Sequence, residues 1–345
     1  MAAPMILTML SKQGIEGDDT LLRLAQTRLQ EAGLGGELYP DSPEQLRQHL
    51  AYRPAGRPCT VHLPRDINLL RPEGLARVLA FAAWAAGNVY GMVVHDHRQF
   101  ADAPEQTIDA LRAADRALAD LPHAPLLFVE YAVGLTPDFF ASLFERTADL
   151  PRVCCCIDVS HVGIEVCRTA YRQRVGDVDI CALKTAPDLA AHLDGIQAAT
   201  AEALPAVLRL IERIARLGKP LHFHLHDGHP LSTLSRYGVS DHLSFLQEVR
   251  LPFVHHDRAL VGGMFGPVGL RAIVRTTLAT LPAERVSFMI EVHPQEGRIP
   301  LGVHAGLFRH WKDVVHAERM NYWLEALLHN ARLVRAACAD STCDG

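Results

Sequence analysis

The sequence predicts a single (β/α)8 barrel, in which eight parallel strands close into a ring surrounded by helices. Eight short apolar runs alternate with segments of helical period, the pattern of repeated strand-helix units. No glycine-rich fingerprint follows the first strand, which disfavours a dinucleotide-binding fold. Carboxylates and histidines recur at the C-terminal ends of the runs, where the active sites of such barrels lie.

The strand and helix boundaries follow from these runs and from the residues that bracket them. Several helices open with Asp or Pro, as helix N-termini commonly do. Helices are predicted over residues 18–32, 72–86, 104–121 and 137–150. Strands are predicted over residues 5–10, 35–40, 59–65, 89–97, 125–133, 153–161, 220–228 and 286–294.

One connection is longer than a single helix requires. Residues 162–219 separate the sixth and seventh predicted strands and contain the helical run 198–217. We expect a helical insertion that forms a lid or an oligomer contact, so a homo-oligomer is compatible with the sequence. The barrel domain is predicted over residues 1–335, followed by a flexible tail at 336–345.

The composition is that of a globular protein. The chain has 345 residues, 49% hydrophobic and 21% charged, with a formal net charge of -5. Such a charge provides no global field for nucleic acid or an anionic membrane, although a local nucleic-acid groove is not excluded. With no run of about eighteen apolar residues and no secretory signal, we expect a cytoplasmic protein without membrane contact.

Alternation along the strands sorts the ligand-type side chains. In LHFHLHD, residues 221–227, the histidines share the face opposite to the apolar residues. A single strand histidine such as His222 or His293 is expected to be hydrogen-bonded rather than to bind a metal. The same alternation directs into the barrel the side chains His95, His97, Glu130, Asp158 and Glu291.

Several carboxylates at one barrel mouth repel each other, and a bound cation offsets this cost. Taken singly, each carboxylate could instead cap a helix or pair with an arginine. A mixed oxygen and nitrogen set suits Zn, Mn or Fe better than Ca, and we expect one to three divalent ions per chain. The predicted ligands are His62, His95, Glu130, Asp158, His161, His224 and Glu291.

These motifs resemble the xylose-isomerase-like TIM barrels, the superfamily of sugar isomerases, epimerases and endonuclease IV. The resemblance spans most of the chain and rests on four ordered motifs. They are FVEYA with Glu130, IDVSH with Asp158 and His161, HLHD with His224 and Asp227, and MIEVH with Glu291. It implies one metal held by Glu, Asp, His and Glu, with Glu130 and Glu291 exchanging protons with substrate and His161 orienting a substrate oxygen.

Two further motifs are similar to endonuclease IV. VHLPRDINLL places His62, and VVHDH places His95, where that family has histidines for a second metal. The D-x-H pair for a third metal is not found at its usual spacing, which puts phosphodiester chemistry in doubt. The residues predicted to bind substrate or a further metal are His226, Asp227, Asp241, His242, His256 and Asp257.

Three activities compete at this stage. Isomerisation or epimerisation of a small polyhydroxylated or keto substrate is favoured, because the four-residue epimerase core is complete. Phosphoester hydrolysis in the manner of endonuclease IV and oxidation by multinuclear iron are the alternatives. A binding or structural protein is the remaining class. Arg65, three residues after His62, is predicted either to bind an anionic group or to be a solvated surface charge.

Overall fold

A computed structural model describes most of the chain. The described residues are 3–11, 19–53, 56–132, 134–176, 178–180, 183, 186–230, 234–235, 238–239, 242–245, 263–292 and 317–343. The predicted site residues Asp241, His256 and Asp257, and the predicted inner histidine His293, lie outside them.

The described strands are β1 Met5–Ser11, β2 Gly35–Leu38, β3 Cys59–His62, β4 Gly91–His95, β5 Leu126–Glu130, β6 Val153–Asp158, β7 Leu221–Leu225, β8 Leu234–Ser235, β9 Gly238–Val239 and β10 Val286–Ile290. Eight of them form the barrel and match the predicted runs in order and position, whereas β8 and β9 pair with each other in a separate sheet that the sequence did not predict. Most predicted strands were too long at their C-terminal ends. Most of the described residues beyond the strand ends form loops at the barrel mouth, where parallel barrels carry their sites, and those after β6 begin a helix.

Helices follow the strands and cover the barrel. They are α1 Asp19–Glu31, α2 Pro43–His49, α3 Pro72–Ala85, α4 Gln99–Asp102, α5 Pro104–Ala119, α6 Pro137–Arg146, α7 Val159–Val175, α8 Ala186–Thr200, α9 Ala203–Ala215, α10 Gly266–Thr280 and α11 Ala317–Cys343. Proline stands at the first turn of several, where its missing N–H costs nothing. None of the described helices has the length and apolar character needed to span a membrane.

The sheet is a closed parallel barrel, as predicted. Its strand order is β1-β10-β7-β6-β5-β4-β3-β2, so each strand pairs with a neighbour on both sides. The register sets His95 opposite Glu130 and Asp158 opposite His224 at the mouth. Pairing of the backbone alone therefore brings these four ligand-type residues into two adjacent pairs.

Side-chain alternation gives two apolar cores, one between the strands and the helices and one inside the barrel. The outward residues of β7 pack with the helices in the main core, where the rings of Phe223 and Phe288 lie 5.2 Å apart. The inward residues of β4, β5 and β6 form a separate apolar cluster inside the barrel. Its buried members are Val93, Phe128, Cys154 and Cys156.

Two boundaries near the site differ from the prediction. The sixth strand, predicted over 153–161, ends at Asp158, and α7 begins at the next residue. Asp158 caps this helix, since its Oδ1 accepts from the backbone N–H of Ser160 (3.0 Å) and His161 (2.9 Å). His161 is therefore in the first turn of a helix and not at a strand end.

The connection between β6 and β7 is helical. It contains α7, α8 and α9, and the facing sides of α7 and α8 bury a small cluster that includes Cys167, Tyr171 and Ile196. Its role as a lid or an oligomer contact stays a prediction. At the other end of the chain, α11 continues to Cys343, through most of the segment for which the sequence predicted a flexible tail.

Candidate metal centre

Two histidines and one glutamate converge at the ends of three neighbouring strands. His62, His95 and Glu130, which we call the first triad, end β3, β4 and β5 and are buried. Oε2 of Glu130 lies 3.1 Å from Nε2 of His62 and 3.4 Å from Nε2 of His95, and the two nitrogens are 3.2 Å apart. Ligands at about 2.0–2.1 Å from a tetrahedral Zn²⁺ are separated by about 3.3 Å. The three atoms are spaced like ligands of one ion.

Backbone carbonyls fix the protonated nitrogen of three histidines at the site. A carbonyl oxygen only accepts, so Nδ1 carries a proton, and Nε2 is left to face an ion or, in His226, to share a proton with Asp158 at 2.9 Å. Metal-bound histidines are oriented in this way. For His62, the lone pair faces the Glu130 carboxylate, so a cation or a second ring proton must lie between them. The donor and acceptor pairs are His62 to Leu63 (2.9 Å), His161 to Tyr131 (3.1 Å) and His226 to Asp227 (2.9 Å).

Glu130 connects the first triad to a second group. Its Oε2 faces the two histidines of the first triad. Its Oε1 lies 3.5 Å from Nδ1 of His224 and 3.8 Å from Nδ1 of His161. Nδ1 of His224 also lies 3.1 Å from Oε2 of Glu291, and Asp158 completes the group. A carboxylate that presents its two oxygens to two ion positions can bridge a pair of ions.

A third cluster consists of three buried histidines. His161, His226 and His242, which we call the third triad, bring ligand atoms within 4.8 Å of one another. Nε2 of His226 lies 2.9 Å from Oδ2 of Asp158, the oxygen that does not cap α7. Nε2 of His161 is buried and makes no hydrogen bond with any other described residue. Asp158 thus serves both purposes that the sequence left open, helix cap and ion-facing carboxylate.

Burial and mutual charge set the protonation of these groups. Burial holds the pKa of His95 well below its usual value and also lowers the pKa of His161, which keeps both imidazoles neutral and able to bind a metal. Burial opposes ionisation of Glu130, but attraction to His224 and the hydrogen bond from His62 outweigh it and hold the Glu130 pKa well below the usual range. The carboxylate therefore stays charged at neutral pH and attracts a cation.

The structure brings most of the predicted site residues to this mouth. Those that converge are His62, His95, Glu130, Asp158, His161, His224, His226, His242 and Glu291. Asp227 is placed elsewhere, because its carboxylate accepts from the backbone N–H groups of Gly228 (2.8 Å), Phe265 (3.1 Å) and Gly266 (2.8 Å). These bonds tie the loop after β7 to the start of α10, although burial still raises the Asp227 pKa to about 6.

Sequence reasoning did not single out Glu37 and Tyr39, which lie next to the centre. Tyr39 stacks on His62 with ring centroids 5.0 Å apart, and its hydroxyl lies 3.2 Å from Oε1 of Glu291. The sequence feature that could have identified Glu37 is a glutamate inside the short buried strand GGEL, where burying a charge is costly. His222, expected to be hydrogen-bonded, contacts Ser287 Oγ (2.6 Å) and Glu37 Oε2 (3.2 Å).

A small cavity opens among these residues. Its volume is about 20 Å³, enough for one water or ion. Arg65 is exposed at its edge and contributes to its lining. The full lining is His62, Arg65, His95, Glu130, His161, His242 and Glu291. The chain is thus a parallel eight-stranded barrel with clusters able to hold metal ions, compatible with a metal-dependent enzyme.

Comparison with known proteins gives distant structural similarity alone. No family model and no curated protein matches the chain. The crystal structure of AsfvAP:AG is 13% identical, covering 94% of this chain and 98% of that one, with a TM-score of 0.45. The carboxyl transferase domain from Rhizobium etli pyruvate carboxylase with 3-hydroxypyruvate is 10% identical with a TM-score of 0.41, and the match covers 98% of this chain and 48% of that one. This chain therefore spans about half the length of the second protein. Similarity this low supports neither fold nor function, which rest on the strand order and the site.

Proposed function

We propose that the chain is a metal-dependent hydrolase in which two or three divalent ions act together on an anionic phosphoester. The observation that carries the proposal is the sharing of Glu130 between the first triad and His224, with the third triad beside them. Isomerisation was favoured from sequence because the four-residue epimerase core is complete, whereas no D-x-H pair for a third ion was found at its usual spacing. The convergence of His226 with His161 and His242 offers ligands for a third ion by another route, which supports hydrolysis.

Arg65 supports an anionic substrate. Its side chain lines the cavity next to the first triad, and its charge contributes to the low pKa of His95. A guanidinium can hold two oxygens of one phosphate group at once. An anion bound here would have one side on Arg65 and the other toward the ions.

The protein's own groups have defined tasks in this reaction. Paired ions would lower the pKa of water and screen the charge on the leaving oxygen. With ions bound, Glu130 would hold two of them, Glu291 would accept the proton of the attacking water, and Arg65 would orient the phosphate. These roles for Glu130 and Glu291 rest on the approach of both carboxylates to His224 Nδ1, at 3.5 and 3.1 Å.

Metal analysis of the purified native protein tests the proposal, together with hydrolysis of bis(p-nitrophenyl) phosphate and of an abasic-site DNA duplex. We expect two or three Zn, Mn or Fe ions per chain. His95→Ala and His242→Ala should each lose an ion and nearly all hydrolysis. His329→Ala is the matched control, because His329 is 54% exposed on α11 and belongs neither to the cavity lining nor to the ligand clusters of the described residues. Finding one ion, unaffected by loss of His95, would contradict the proposal.

Isomerisation or epimerisation remains the second candidate, and a specific arrangement favours it. Glu130 and Glu291 both face His224, and Tyr39 lies beside Glu291. Two carboxylates close to one ligand nitrogen could act as acid and base on a carbon-bound proton of a small keto sugar. Deuterium uptake from D₂O into a panel of ketoses, followed by NMR, distinguishes the candidates. Uptake that Glu291→Gln abolishes, without phosphoester hydrolysis, would favour the isomerase. An iron-containing protein that is inactive in both assays would favour the oxidase.

A further inference from the structure

Glu37 lies in the barrel lumen one layer below the metal centre. It is fully buried in the third position of β2. Oε2 accepts from Oγ1 of Thr60 at 2.7 Å and from Nε2 of His222 at 3.2 Å. Oε1 lies 3.1 Å from the hydroxyl of Tyr39 and 3.2 Å from Nε2 of His224. Four groups able to donate a proton thus surround one carboxylate.

This arrangement suits a carboxylate and no other side chain of similar size. An ionised carboxylate has about four acceptor positions, two on each oxygen. Glutamine has one acceptor oxygen, and its amide would point two further N–H donors at groups that already donate. The pocket is therefore selective for Glu37 in its charged form.

The network also fixes the protons on the two strand histidines. Nε2 of His222 must carry a proton to contact the Glu37 carboxylate, so its Nδ1 accepts from the hydroxyl of Ser287 at 2.6 Å. Nε2 of His224 lies 3.2 Å from Oε1 of Glu37 as a charge contact without hydrogen-bond geometry. An ion at the mouth needs the lone pair on Nδ1, so the proton of His224 belongs on Nε2, on the Glu37 side. The lone pair of His224 is then on Nδ1, the atom that faces Glu130 and Glu291.

We infer that Glu37 is a positioning residue that holds His224 with its Nδ1 lone pair directed into the metal centre. The inference rests on the metal binding of the proposed function and extends it to a residue that contacts no ion position itself. Carboxylate partners of metal-bound histidines fix ring orientation and raise ligand basicity in this way. Glu37 reaches His224 from below, whereas Glu130 and Glu291 approach from the mouth.

The test compares Glu37→Gln with Glu73→Gln, the same chemical change at an exposed position in the first turn of α3. Zn²⁺ affinity is measured by chelator competition on folded protein, and Co²⁺ absorption spectra report the coordination of each ion. We expect Glu37→Gln to lower the affinity for one ion by roughly 10–100-fold and to alter the absorption bands of Co²⁺ bound at that position. The other ions and the Glu73→Gln protein should be unchanged.

Because Glu37→Gln could prevent folding, Thr60→Val provides a second variant of nearly the same shape. It removes the shortest hydrogen bond to Glu37 and should weaken the same ion by a smaller factor, while circular dichroism shows a native barrel. If folded Glu37→Gln or Thr60→Val binds every ion as the wild type does, the inference is overturned and the proposed hydrolase stands. If the wild type binds no ion, both fall together.

Discussion

The lower and upper parts of the barrel lumen are built by the same strands but have opposite chemistry. The lower layer is apolar and closely packed, and its rings and thiols fill the barrel. The upper layer carries carboxylates and imidazoles that surround a cavity of about 20 Å³. One inward step along each strand replaces Val93 by His95, Phe128 by Glu130 and Cys156 by Asp158.

This contrast teaches that the inward direction alone does not make a side chain functional. Inward residues near the strand starts exclude water, and those near the strand ends reach the mouth and its loops. His222 and Glu37 lie between the layers, where polar groups are buried yet satisfy each other. Stability and chemistry are therefore separated by height in the barrel, and each layer can be altered by itself.

The largest effect is expected for Glu130→Gln in the upper layer. The substitution removes the carboxylate shared by two ion positions. Bound ions stabilise the transition state by several kcal/mol. Hydrolysis of bis(p-nitrophenyl) phosphate should fall by roughly a thousandfold, since each factor of ten corresponds to about 1.4 kcal/mol. Urea unfolding of the metal-free variant should show a moderate loss of stability, because the imidazoles that hold the Glu130 pKa low lose their anion. A strong loss of stability with normal ion content would contradict the separation of layers.

The reverse result is expected for Phe128→Ala in the lower layer. Phe128 is fully buried, and its ring contacts Tyr90 at 5.9 Å and His222 at 5.1 Å between centroids. Truncation should lower the free energy of unfolding by about 3–5 kcal/mol in urea titrations. Metal content should stay that of the wild type, with Phe128→Leu as a milder control. Loss of ions in a folded Phe128→Ala protein would show that the two layers depend on each other.

The barrel and the strand-end residues could be predicted from sequence because both follow from local periodicity. Alternation in β4, β5 and β6 gives the inward face, and parallel pairing brings strand ends to one side. Glu130, Asp158 and His224 are of this kind. Their approach in space required only the register of neighbouring strands, which the closed barrel supplies.

The residues that sequence reasoning missed or misplaced depend on contacts distant along the chain. His161 was assigned to a strand, because the capping of α7 by Asp158 cannot be read from hydrophobic period alone. His242 was among the predicted residues, but its approach to His161 and His226 depends on the path of a loop that tertiary contacts set, including the pairing of Asp227 with Leu243. Glu37 was overlooked because its partners, such as His222, are 185 residues away.

The mouth of the barrel is expected to lose stability in acid. His229 is buried in the loop after β7, and burial lowers its pKa to about 3. The unfolded chain protonates it near its ordinary pKa of about 6.5, so the folded state loses stability as the pH falls from about 6.5 toward 3. The loss is about 1.4 kcal/mol per pH unit. In urea titrations across this range, the free energy of unfolding should depend less on pH in His229→Gln than in the wild type. Equal pH dependence in the two proteins would refute the lowered pKa of His229.

The lower layer should weaken at the opposite end of the pH scale. Burial raises the pKa of Cys154 to about 12, while an exposed thiol in the unfolded chain titrates near 8.5. Because the folded pKa is the higher one, the stabilising contribution is complete below about pH 8.5 and is lost as the pH rises toward 12. Cys154→Ala should start less stable at pH 7 through its cavity, yet lose about 1.4 kcal/mol less per pH unit between about 9 and 11. The slope, measured by urea titration under reducing conditions, separates the thiol's ionisation from the cavity, since a cavity costs the same at every pH. Equal slopes would mean that water reaches Cys154 and that the lower layer is not the dry plug its packing indicates.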